Sequence, residues 1–158
     1  MNNLCNILRG RAFAAAHIKG SEKYPGINGT VMFYNACSGI LVRSEIFGLP
    51  KGADACKSPI FGFHIHSGFE CEGTKDDPFA DAMTHYNPND CMHPFHAGDM
   101  PPLFGANGTA FSVFLTDRFK ANEIIGRTVI IHSNPDDFTT QPSGNSGEKI
   151  ACGIILKR

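Results

Sequence analysis

Short apolar runs broken by turn residues recur along this chain, and they predict strands rather than helices. Strands are expected near 12–18 (AFAAAHI), 29–35 (GTVMFYN), 39–47 (GILVRSEIF), 61–67 (FGFHIHS), 109–117 (TAFSVFLTD), 127–133 (RTVIIHS) and 150–157 (IACGIILK). NACSG between the second and third suits a hairpin loop, and Asn-Gly at 28–29 and 107–108 marks further turns. No window of useful length repeats its apolar positions every ~3.6 residues, so any helix is short. Two segments do not read as strand. Residues 68–106 are rich in Pro, Asp, Gly and His, and residues 133–149 are almost wholly turn-forming. A loop of roughly 40 residues is ordered only if something offsets its entropy, so this one is read as functional.

Composition narrows the class. The 158 residues suit one domain, and 17 Gly, 10 Pro and 13 Phe with no Trp favour many short elements joined by tight turns. A net charge of −1 without a basic block disfavours nucleic acid or an anionic membrane as partner. No stretch approaches the ~20 apolar residues of a membrane span. The longest clean apolar run, AFAAA, is shorter than a signal peptide's ~7–15 residue core. The sequence as it stands is therefore expected in the cytoplasm, and a longer precursor would change that to export. The six cysteines form neither a zinc knuckle nor a CxxC site.

Six of the seven histidines lie in or beside the two long loops. His64 and His66 project from one strand face and Phe63 and Ile65 from the other, so two imidazoles can converge on one ion. In VIIHS, His132 shares a face with Ile130, away from Val129 and Ile131. His85 lies in THYNP. HPFHAGD supplies His93, His96 and Asp99, spaced by two residues each way. Three nitrogens and a carboxylate oxygen satisfy a tetrahedral zinc ion, with His85 as the fourth member of that set. Such a cluster in an apolar framework predicts a metal site, the number of ions being open. His17 stands apart and is read as an ordinary surface or hydrogen-bonded residue.

GFHIHS, HYNP, HAGDMPPLFGANG, GRTVIIHSNPDD and QPSGNSGEKIACGII follow one another as in the copper/zinc superoxide dismutase family, which the chain resembles from about residue 12 to its end. Residues 1–11 stand outside that resemblance as an N-terminal extension expected to be flexible. The resemblance implies an all-β, eight-stranded Greek-key antiparallel barrel or sandwich with two long functional loops. It implies copper on His64, His66, His85 and His132, and zinc on His85, His93, His96 and Asp99, with the His85 ring bridging both. It places Asp136 as the carboxylate linking the two metal sites from outside, and Cys71 and Cys152 as an intrasubunit disulfide. The implied activity is conversion of two superoxide anions to dioxygen and hydrogen peroxide, His85 supplying a proton. A homodimer and a copper-delivery partner are candidate partners.

Three departures qualify the resemblance. Lys149 stands where the family usually has an arginine beside copper. It would still attract an anion, but as a point charge without a fork. His93 and His96 are closer in sequence than the corresponding residues of better-known members, so the zinc loop must take another path. Cys56 and Cys91 have no assignment: a mutual disulfide and two thiols are both open. The competing reading is a non-catalytic or weakly active relative that binds copper and zinc. A zinc hydrolase is weaker, since no glutamate sits suitably beside the histidine pairs to act as a base.

Overall fold

In the computed structural model, which describes residues 4–54 and 59–158, strands form in each of the seven stretches where the alternation places them. They are β1 (Ala14–Gly20), β2 (Asn28–Ala36), β3 (Gly39–Phe47), β4 (Ile60–Phe61), β5 (Phe63–His66), β6 (Leu103–Phe104), β7 (Thr109–Thr116), β8 (Thr128–His132) and β9 (Lys149–Lys157). Seven of them make one antiparallel sheet in the order β5-β8-β9-β1-β2-β3-β7, and β4 pairs with β6. The sheet curls so that its inward positions make one core. Val31, Phe33, Val42, Ile46, Phe61 and Phe63 are all at most 1% exposed, and each such side chain contributes roughly 1.5–3 kcal/mol by leaving water.

The small sheet links the two edges of the large one. β4 runs through Gly62 into β5, while β6 turns through Asn107-Gly108 into β7, both turn residues having positive φ. Counted as one strand, β4 and β5 give the eight strands expected. The break has a cause. A side chain at Gly62 would come within 2.9 Å of the Ser146 side chain; the Gly62 backbone still bonds the β8 side, to Asn134 O (2.7 Å) and His132 N (2.9 Å), while β4 before it pairs with β6 instead.

β5 and β8 are buried along their whole length. Phe63, Ile65, Val129 and Ile131 fill the main core. On the opposite face, Ile130 packs with Phe79, Ala82 and Cys152 under the long loop, which is what shields the histidine side of these strands from water. The Cys71–Cys152 disulfide ties that loop to β9 across 81 residues.

Two elements were not predicted: β6 lies inside residues 68–106, a segment read as containing no strand, and the N-terminal stretch carries a helix. Residues 4–9, inside the stretch expected to be a flexible extension, form helix α1 (Leu4–Arg9), with Ile7 and Leu8 packed beside Ala12, Tyr34 and Leu41. The other helical pieces, α2 (Ala121–Ile124) and a 3₁₀ turn at Ala80–Ala82, are short, as expected. Cys56 lies outside the described residues, so its pairing with Cys91 has no structural account.

Candidate metal centre

β5 delivers His64 and His66, and β8 delivers His132. A register shift between Ile131 and His132 sets His132 opposite Lys149 rather than Ile150, which aims the last residue of the strand at the loops. The long loop runs antiparallel to β5, with bridges from His66 to His85 and from His64 to Asp99, so its two halves lie along the open edge of this strand. His64, His66, His85 and His132 each offer one ligand atom within 4.8 Å of the others, and so do His85, His93, His96 and Asp99. All eight predicted ligand positions meet, with His85 in both groups. His17 is exposed on β1 and takes no part.

Hydrogen bonds decide which nitrogens are available. A carboxylate can only accept, so His64 Nε2–H donates to Asp136 Oδ2 (2.7 Å) and His93 Nε2–H donates to Asp136 Oδ1 (2.9 Å). Both rings then keep a lone pair on Nδ1, and each Nδ1 is buried without a hydrogen-bond partner. His66 Nδ1–H donates to Met83 O (2.9 Å) and His132 Nδ1–H to Gly147 O (3.3 Å). Their Nε2 lone pairs therefore face one another at 3.2 Å, an arrangement favourable only around a cation. His85 Nε2 and His96 Nδ1 are also buried and unpartnered. His93 Nδ1 lies 3.0 Å from Asp99 Oδ2 but is not aligned to bond it, so two acceptors converge on one point.

Orphaned buried lone pairs are costly in an apolar setting, and an ion in each cluster would satisfy them. The donor sets fit the expected groups: four imidazoles in one, three imidazoles and a carboxylate in the other.

Electrostatics keep the rings in the ligating form. Burial lowers the His64 pKa to about 4, despite the opposing bond to Asp136. Burial also holds His66 and His132 well below the usual imidazole value, reinforced by each ring's histidine neighbours. Burial alone would raise Asp136. Hydrogen bonds from His64, Phe138 N–H and His93 outweigh it and hold this carboxylate ionised far below its usual range.

Several supporting residues carried no sequence signal. Gln141 clamps the His93 backbone from both sides, accepting from its N–H (3.0 Å) and donating to its carbonyl (2.7 Å). One Arg118 nitrogen reaches the carbonyls of Pro94 (2.8 Å), Asp99 (3.2 Å) and His96 (3.4 Å). Together they give the tight His93–His96 segment the path it needs. The cavity above the histidines holds about 520 Å³, and His66, His132, Met83, Asp77 and Lys149 are among its lining residues.

A family model described as Copper/zinc superoxide dismutase (SODC) matches residues 27–155. The chain belongs to the copper/zinc superoxide dismutase family. It is 34% identical over 133 residues to Superoxide dismutase [Cu-Zn] 2 of Aquifex aeolicus, spanning 75% of this chain and 72% of that one. Over 135 residues it is 32% identical to Superoxide dismutase [Cu-Zn] of Legionella pneumophila, spanning 80% and 76%. Its fold superposes on the Cu/Zn superoxide dismutase from Brucella abortus with a TM-score of 0.74, at 26% identity over 89% of this chain and 98% of that one. A doubly substituted SOD-like protein from Bacillus subtilis gives a TM-score of 0.73 at 30% identity, over 90% and 96%. Membership accounts for the all-β architecture and the paired clusters alike.

Proposed function

We propose that this chain is an oxidoreductase that converts two superoxide anions into dioxygen and hydrogen peroxide. In this reading copper is held by His64, His66, His85 and His132, and zinc by His85, His93, His96 and Asp99. The observation that carries it is the shared His85: its Nε2 is buried and unpartnered beside one cluster, while its Nδ1 lies 2.7 Å from Asp99 in the other. Copper suits imidazole ligands and supplies one-electron chemistry by alternating between two oxidation states, whereas zinc supplies charge and orientation without redox change.

The chain's own residues do the rest. Met83 O and Gly147 O fix the tautomers of His66 and His132. Asp136 fixes those of His64 and His93 at once, so one carboxylate orients a ring in each cluster. His85 Nε2 is the atom that can hold a proton and pass it to the reduced product, its ring kept in place from the Nδ1 side. Lys149, on the cavity wall, supplies the positive charge that draws the anion in. Residues 1–158 are read as one domain.

No helix among the described residues is long and apolar enough to cross a membrane. The Cys71–Cys152 bond favours an oxidising compartment over the reducing cytosol expected from the N-terminal sequence. A homodimer and a copper-delivery partner rest on family membership alone.

The test is direct. Protein loaded with copper and zinc should speed superoxide decay in pulse radiolysis, and His66→Ala should bring decay back to the spontaneous rate. Loaded wild-type protein no faster than His66→Ala would leave a metal-binding protein without this activity.

A further inference from the structure

Among the described residues, Lys149 is the one lysine or arginine lining the cavity over the histidines, and Asp76, Asp77 and Glu148 line it too. Its ammonium is not turned freely toward that space. Nζ donates to Asp77 Oδ2 at 2.6 Å and to Phe79 O at 3.1 Å, with the lysine side chain only 14% exposed. Glu148 is drawn outward instead, to Lys23 Nζ (2.6 Å) and Tyr24 OH (3.2 Å).

The Asp77 carboxylate is aimed by its own turn. Oδ1 accepts the Phe79 N–H (3.2 Å), and the Asp77 N–H and carbonyl close onto Thr74. Phe79 is buried beside the Cys71–Cys152 disulfide. The aspartate is therefore held against the lysine by a stapled loop rather than meeting it by chance, and two opposite charges at that separation cancel at longer range.

We propose that Asp77 masks Lys149, setting how strongly the metal centre draws in small anions and so limiting the rate with superoxide. Asp77 is a positioning residue in this scheme, acting through the lysine. The proposal rests on the assignment of copper to the histidines and of anion guidance to Lys149.

Asp77→Asn is the informative change. It is nearly isosteric, keeps an oxygen for the Phe79 N–H, and removes the charge together with the acceptor that Lys149 Nζ uses. In copper- and zinc-loaded protein it should tighten azide binding, read by optical titration, and raise kcat/KM for superoxide, each by roughly two- to fivefold, the effect of one unit charge through water over several ångström. The gain should shrink as salt is added, vanish in a Lys149→Gln background, and be reversed by Asp77→Glu. Equal azide affinity for wild type and Asp77→Asn at equal metal content overturns the proposal, as does a gain that survives in Lys149→Gln.

Wild-type protein gives a check that needs no variant: a masked cation predicts azide affinity nearly flat with ionic strength. A steep fall with added salt would show the lysine already unmasked. Protein that binds no copper, or whose optical spectrum is unmoved by His66→Ala, instead refutes the metal assignment, so the two failures are distinct.

Discussion

At Gly144 the backbone has a φ of +66°, and a Cβ there would overlap Asp136 Oδ1 and come within 2.7 Å of His93 Nε2. Only hydrogen fits between the carboxylate and the turn that passes over it. Gly144→Ala is strained twice, by left-handed backbone at about 1–3 kcal/mol and by a methyl group placed on the Asp136–His93 bond. The side chain cannot retreat into solvent, because Asp136 Oδ1 also accepts the Phe138 N–H at 2.7 Å. The expected result is selective. Metal analysis of the variant should show zinc lost and copper largely kept, since Asp136 reaches His64 through its other oxygen. Thermal melts should fall by several degrees. Loss of both ions in parallel would mean that the turn supports the whole centre rather than the His93 side.

Among the elements, the zinc-side segment was the one expected to take a different route, because its two histidines are closely spaced. The route is made by partners outside it: Arg118 draws three carbonyls together from one side, and Gln141 holds His93 from the other. Arg118→Ala should weaken zinc binding about tenfold, the usual scale for losing an outer partner of a ligand, with copper affinity unchanged. Competition with a chromogenic chelator measures this, and Arg118→Lys, which keeps a donor, should recover part of the loss. Equal zinc release from wild type and Arg118→Ala would show that the clamp is ornamental.

The elements themselves were unequally legible. β2 and β3 follow from alternation because Val31, Phe33, Val42 and Ile46 are buried while Thr30, Arg43 and Glu45 stay partly exposed. β6 has two residues and exists only through its pairing with β4, more than forty residues away. Helix α1 shows apolar Leu4, Ile7 and Leu8 at helical spacing, but six residues are too few to carry a period. The seven candidate ligands were legible from residue type and spacing together with the family resemblance. Arg118, Gln141 and Asp77 were not, because a polar side chain in a turn defaults to solvent until the fold supplies its partner.

For the molecule as a whole, the metal centre sets how stability responds to acid. His64, His66 and His132 are 0%, 2% and 4% exposed, and burial depresses all three pKa values, that of His64 to about 4. In the unfolded chain each returns to about 6.5. Between those values the unfolded state binds protons that the native state refuses, so native stability falls as pH drops from about 6.5. Asp99 and Asp136 also have lowered values, but their contribution is present above the ordinary carboxylate range and is lost only at lower pH, so it does not offset the histidines within this window. Three protons coupled to unfolding correspond to roughly 4 kcal/mol per pH unit, of the order of a small domain's whole stability. Metal-free protein should therefore lose most of its urea resistance between pH 6.5 and pH 5. Protein holding ions on the same lone pairs should stay folded further into acid, because binding to the native state alone adds stability that protons must first displace. Urea midpoints for both forms across that range test the account. A flat profile for the metal-free form would mean that water reaches these rings once the ions are gone, and that the barrel does not hold its histidines ready in advance.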